Sequence, residues 1–121
     1  MTSCLIVDDS KVVRTLERRI MESLGYTVSE AEDGQKAVEF CQVQKPTLIL
    51  LDWHMPVMNG LEFIKVLRGM PDGNVPKVLF CTTESEVSHI MEALAAGADE
   101  YIMKPFDAEI IKGKLQQIGM I

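Results

Sequence analysis

Along this chain, short continuous apolar runs alternate with longer stretches in which apolar residues return every three or four positions. Cys4-Leu5-Ile6-Val7 is the first run, and an apolar stretch of that length reads as a buried strand. Lys11 to Leu24 then sets Val12, Val13, Leu16, Ile20 and Leu24 at helical spacing, with Asp9 or Ser10 as cap and Gly25 as the left-handed stop. Thr27 to Ala31 predicts a second strand, and Asp33-Gly34 leads into a helix carrying Ala37, Val38 and Cys41. Leu48 to Leu51 is the third strand and Asn59 to Arg68 the third helix. Val78 to Cys81 is the fourth strand. The helix after it shows Val87, Ile90, Met91, Leu94 and Ala95 on one face, capped by Ser85 or by Thr83 with Glu86, and Gly97 ends it. Tyr101-Ile102-Met103 forms a fifth strand, and Asp107 caps a last helix bearing Ile110, Ile111, Leu115 and Ile118.

Five strands alternating with five helices predict an α/β fold, a five-stranded parallel sheet covered on both faces. Right-handed crossovers make it a doubly wound sandwich. The 121 residues fit one domain over residues 1–121, with no room for a second, effector domain. Apolar residues are 47% and charged residues 25% of the chain, as in globular proteins, so disorder is not expected. No run is long enough to span a bilayer, and Met1-Thr2-Ser3-Cys4 does not open a signal peptide. A cytoplasmic protein is the expectation. The net charge of −6 argues against electrostatic binding to nucleic acid or to an anionic membrane. Cys4, Cys41 and Cys81 lack close spacing and read as buried thiols.

Chemistry gathers at the strand ends. In a parallel sheet all strand C-termini share one edge, where open α/β folds bind their ligands. The first strand runs into Asp8-Asp9, the third into Asp52, the fourth into Thr82-Thr83 and the fifth into Lys104-Pro105. Each alone could be a cap or a solvated charge, but four of five strands ending this way describe a site. Two carboxylates about 4 Å apart repel by roughly 4 kcal/mol at an effective dielectric near 20. Lys104 balances one of three negative charges, and a divalent cation would balance the other two. An oxygen-only ligand set suits Mg²⁺, or Mn²⁺, better than zinc. Beside a hydroxyl and a lysine, such a site suits phosphoryl transfer with the Asp52 carboxylate as nucleophile.

With those residues in place the sequence resembles the receiver domain of bacterial two-component response regulators, in particular the single-domain CheY-like kind. The resemblance covers essentially the whole chain. Its motifs are the acidic pair in IVDDS, the acceptor in LLDWHMPVMNG, the hydroxyl in FCTT and the lysine in YIMKPF. It implies a (βα)5 flavodoxin-like fold with strand order 2-1-3-4-5. It further implies Asp52 as phosphoacceptor, with Asp8, Asp9, Asp52 and the backbone carbonyl of His54 binding Mg²⁺. Thr82 would hydrogen-bond the phosphoryl group, Lys104 would pair with it, and the Lys104–Pro105 peptide bond would be cis. Tyr101 would turn inward when Thr82 moves. Phosphoryl groups would come from a histidine kinase, a phosphotransfer protein or small acyl phosphates. The fourth helix, fifth strand and fifth helix would carry the output face for a protein target. The chain would then be a signalling protein, catalysing only its own phosphorylation and autodephosphorylation.

Several residues are individual to this chain. His54 and Glu84 each lie two positions past Asp52 and Thr82, and are expected to tune dephosphorylation. Thr83 is bulkier than the small residue often found there, which bears on access by small phosphodonors. Trp53 should report on Asp52 by fluorescence, and His89 reads as a surface residue. A flavodoxin-type carrier is disfavoured because Asp8-Asp9-Ser10-Lys11 would repel a flavin phosphate. A haloacid-dehalogenase-like phosphatase needs a second acid where His54 stands. Within the receiver reading, a chemotaxis-type messenger competes with a phosphorelay shuttle or phosphate sink that returns the group to a histidine.

Overall fold

A computed structural model describes residues 2–83 and 87–120. The strands are β1 (Ser3–Val7), β2 (Thr27–Ala31), β3 (Leu48–Asp52), β4 (Lys77–Thr82) and β5 (Glu100–Met103). The helices are α1 (Lys11–Ser23), α2 (Gly34–Val43), α3 (Gly60–Arg68), α4 (Ser88–Ala96) and α5 (Ala108–Gln117). All strand pairs are parallel, the doubly wound arrangement expected from the alternation, and the order β2-β1-β3-β4-β5 is the one the family resemblance implies. Among the described residues, no helix is long and apolar enough to cross a membrane.

Strand parity divides the interior into two cores. Leu5, Val7, Ile49, Leu51, Val78 and Phe80 face one side, where Ala37, Val38 and Cys41 of α2, Phe63, Ile64 and Leu67 of α3 and Ala93 of α4 cover them. Cys4, Ile6, Leu48, Leu50, Leu79, Cys81 and Ile102 face the other, under Met21 of α1 and Ile111 and Leu115 of α5. Because successive side chains alternate faces, strands buried on both sides read as unbroken apolar runs. The three cysteines are free and buried, and burial pushes their thiols up, that of Cys41 to about 11.

Helix ends follow their caps. Ser10, Asp33, Asn59 and Asp107 each accept an N–H from the first turn, and Asn59 with Glu62 forms a reciprocal capping box. Gly60 has a second duty. Its N–H donates to the Trp53 carbonyl at 2.9 Å, and a Cβ there would collide with the Asp52 carbonyl oxygen. The start of α3 is thus pressed against the end of β3.

Three features differ from the reading of the sequence. Strands β3, β4 and β5 are longer than their apolar runs, because Asp52, Lys77, Thr82 and Glu100 continue the ladder. On α4 the buried stripe is Ala93 flanked by Ile90 and Leu94, whereas Val87 and Met91 are 49% and 74% exposed and Ala95 is exposed too. This helix is apolar nearly all round, so its spacing could not say which side meets the core. Of its expected caps, Ser85 and Glu86 lie outside the described residues; Val87 occupies the cap position without a side-chain hydrogen bond. Finally, Arg68 at the end of α3 is a hub: its guanidinium donates to the carbonyls of Gly97, Gly73 and Pro76 and to Asp99. It ties α3 to the entry of β4 and the turn before β5.

The loop from β3 to α3 stores strain at Val57, a β-branched residue with φ of 69°, 79% exposed. That left-handed conformation costs of order 1–3 kcal/mol for such a residue, and Asn tolerates it far better. Val57→Asn is expected to raise stability by about 1 kcal/mol, a Tm gain of about 3 to 5 °C for a domain this size. Thermal unfolding followed by circular dichroism measures it.

Candidate functional site

Parity also builds the site. Asp8 continues the face of Cys4 and Ile6, Asp52 that of Leu48 and Leu50, and Lys104 that of Ile102, so all three side chains emerge on the α1/α5 side of the sheet. Val7 pairs with Leu51, so one further step brings Asp8 beside Asp52. The Lys104 ammonium lies 3.0 Å from Asp52 Oδ1 and 3.4 Å from Asp8 Oδ2. Burial alone would lower the pKa of Lys104, but the charge and hydrogen bond of Asp52, then the charge of Asp8, outweigh it and hold the ammonium well above its ordinary value. Asp8 and Asp52 are nearly enclosed, at 2% and 8% exposure, while Asp9 faces solvent.

Neither acid of the pair is used up as a helix cap. Ser10 caps α1, accepting the Val13 N–H at 3.3 Å. Asp8 Oδ1 accepts the Ser10 N–H at 2.9 Å, and the Asp8 carbonyl accepts from Arg14 at 2.7 Å. Those bonds orient the loop and leave Asp8 Oδ2 turned to Lys104. Asp8, Asp9 and Asp52 each offer a carboxylate oxygen within 4.8 Å of the other two. Oxygen ligands at that spacing, with only one ammonium nearby, fit a hard divalent cation. Asp9 and His54 also line an open cleft with Met55, Pro56 and Asn59, so Asp9 meets solvent beside the two enclosed acids.

Around this centre, Thr82 is fully buried at the end of β4 and its hydroxyl donates to the Thr83 carbonyl at 3.2 Å. The Lys104 N–H donates to the Thr82 carbonyl at 2.6 Å, and the Lys104–Pro105 peptide bond is cis. Tyr101 is half-buried in β5 with the Lys114 ammonium 4.0 Å from its ring centroid. His54 is exposed on the loop after β3. Glu84, expected to act with it, lies outside the described residues. His89 does not sit free on the surface as expected: it is half-buried and stacked on Trp53, centroids 4.0 Å apart and planes within 10°. Trp53 has the parity opposite to Asp52, so its ring leaves the acid cluster for the other core.

Glu17 escaped the sequence reading altogether. It is 5% exposed on the sheet-facing side of α1, beside an apolar cavity of about 330 Å³ bounded by Val13, Ile20, Phe106 and Lys104. Its pKa is pushed up to about 8, first by burial and then by the negative charge of Asp8, with Lys104 opposing and Asp52 adding. The available signal was its place between Val13 and Ile20 on the apolar stripe of α1.

Comparison with known proteins agrees with this geometry. The family model of the response regulator receiver domain matches residues 4–116. The chain is 37% identical over 116 residues to the chemotaxis protein CheY1 of Helicobacter pylori, covering 94% of both chains. The crystal structure of the Vibrio cholerae chemotaxis response regulator CheY4 superposes with a TM-score of 0.89, at 34% identity and 98% coverage of each chain. A receiver domain from a Pseudomonas aeruginosa sensor histidine kinase, 29% identical with a TM-score of 0.88 over 98% of each chain, has a magnesium ion coordinated in its active-site cleft.

The raised pKa of Glu17 has a signed consequence. The unfolded chain ionises this carboxyl near 4.5, the folded one near 8. Above pH 4.5 the unfolded state therefore holds fewer protons, and stability is lost as pH rises toward 8. Glu17→Val should be more stable than the parent, by a margin that widens by at most about 1.4 kcal/mol per pH unit between pH 5 and 8. Urea unfolding of both proteins at pH 5, 6.5 and 8 checks the slope.

Proposed function

This chain belongs to the response regulator receiver family, and from that premise we propose that it is a single-domain, CheY-like messenger switched by phosphorylation of Asp52. The observation that carries the reading is the Lys104 ammonium held between Asp52 and Asp8, with Asp9 in ligand range of both. In the transfer, the P–N bond of a kinase phosphohistidine breaks as a P–O bond forms to an Asp52 carboxylate oxygen. The histidine leaves, and the phosphoryl group remains as an acyl phosphate. Small acyl phosphates serve the same role by breaking their own P–O bond.

Asp8, Asp9, Asp52 and the His54 carbonyl hold Mg²⁺ in this reading, and the ion supplies the positive charge that lets an anionic donor approach three carboxylates. Lys104 lies within reach of both the acceptor oxygen and an added phosphoryl oxygen. Thr82 must turn its hydroxyl from the Thr83 carbonyl toward the new group. Phosphorylation adds roughly two negative charges and three acceptor oxygens, and a charge-assisted hydrogen bond supplies roughly 1.5 to 3 kcal/mol. A shift from mostly inactive to mostly active needs about 5.5 kcal/mol, so a bound target completes it.

That target docks on α4, β5 and α5, elements on or beside which Val87, Met91 and Ile110 are exposed and Tyr101 is half-buried. An apolar face of this kind suits a protein partner. In this reading the chain catalyses only its own phosphorylation and autodephosphorylation, binds neither nucleic acid nor membrane, and works in the cytoplasm with its kinase. His54 and Glu84 set the lifetime of the phosphoryl group by controlling the approach of water.

Two experiments test this reading. Intact mass spectrometry after incubation with Mg²⁺ and an acyl phosphate should show a phosphate-sized gain, abolished in Asp52→Ala and by EDTA. A gain that persists in the variant would move the acceptor elsewhere. For the phosphorylated protein, His54→Ala and Glu84→Ala should each change the rate of phosphate loss, and unchanged rates in both would remove them from that role.

A further inference from the structure

Four rings run in series from the core to the acceptor loop. Phe80, fully buried in β4, meets Trp53 edge to face, with centroids 5.4 Å apart and planes at 66°. Trp53 stacks on His89 of α4, and His89 meets His54 edge to face at 5.8 Å and 68°. Phe80 and Trp53 cannot turn, because both belong to the close-packed core under α3 and α4. The stack passes that rigidity to His89. His89 Nδ1 is shut off from solvent and, among the described residues, makes no hydrogen bond, so packing on Trp53 rather than a polar contact holds this imidazole. A polar ring retained in such a place invites a reason.

We propose that His89 is a positioning residue for His54: seated on Trp53, it presents a fixed edge that sets the orientation of the His54 ring on the loop that follows Asp52. The lifetime of the phosphoryl group then depends on α4 as well as on the acceptor loop, since any movement of α4 carries His89 with it. A target bound to α4 would change that lifetime through the same contact. This rests on the reading of Asp52 as phosphoacceptor and of His54 as a residue that tunes the loss of the group.

Four variants test it, His89→Ala, His54→Ala, their double and His89→Phe, with Mg²⁺ and acetyl phosphate as the phosphodonor and intact mass as the readout. His89→Ala should change the rate of phosphate loss by the same factor as His54→Ala, and the double variant should show no further change, since both remove one pairwise effect. His89→Phe keeps a flat ring on Trp53 and should restore the parental rate. A second readout needs no phosphate: the His54 ring-proton NMR resonances should move in His89→Ala and return in His89→Phe. If the mass gain occurs but loss is indifferent to His89→Ala, or if the two histidine variants add independently, His89 does not act through His54. Without any mass gain in the parent protein, the acceptor reading falls instead, and unmoved His54 resonances in His89→Ala would still overturn the positioning role.

Discussion

The Lys104 ammonium, 3.0 Å from Asp52 and 3.4 Å from Asp8, is the contact on which the strand ends depend. Without it three carboxylates would crowd one edge of the sheet, two of them almost without water. At about 4 Å each pair would repel by roughly 4 kcal/mol at an effective dielectric near 20, comparable with the whole stability of a small domain. Lys104 offsets that repulsion only in part, because one positive charge faces three negative ones. The residual charge makes the site receptive to a hard cation. The same imbalance reaches outward to Glu17, whose carboxyl stays protonated in the neutral range because burial and then Asp8 both disfavour its charge.

Most of the architecture was legible because it rests on local regularities. Apolar runs located four of the five strands. Asp107 was legible as a cap and Ser10 as one of two candidates with Asp9, and the structure adds Asp33 and Asn59 as caps where the sequence had shown only helix starts. The convergence of Asp8, Asp9, Asp52 and Lys104 followed once the strands were parallel. What stayed hidden depends on tertiary contact. The exposed side of α4 could not be told from its buried side, since Val87 and Met91 are as apolar as Ile90 and Leu94. Arg68 looked like the end of a helix because nothing in a single sequence shows carbonyls converging from Gly73, Pro76 and Gly97. Glu17 interrupts an apolar stripe and could have been found by its spacing alone. His89 could not, because its role depends on Trp53 turning away from Asp52.

That turn follows from the most elementary property of a strand. Asp52 ends β3 and Trp53 follows it directly, so the alternation of the strand carries over and the two side chains leave on opposite faces. One enters the acid cluster under α1 and α5; the other enters the core beside Phe80 and meets α4. A change at Asp52 therefore has two physical paths out of the site. In the proposed switch, phosphorylation of Asp52 would pull through Lys104 and Thr82 on the ends of β5 and β4, which lead to α5 and α4. Through the backbone of β3 it acts on Trp53 and on the ring stacked against it. Gly60 stiffens the second path, since its N–H is bonded to the Trp53 carbonyl and its bare Cα sits against Asp52. The start of α3 cannot drift from the acceptor without breaking that contact. Both paths lead toward α4, where among the described residues Ala93 is fully buried and Ile90, Leu94, Ala96 and the stacked His89 are partly buried against the core. A helix with one fully buried side chain among its described residues costs little to displace, and in the proposed switch α4 is the element on which both paths from Asp52 would act.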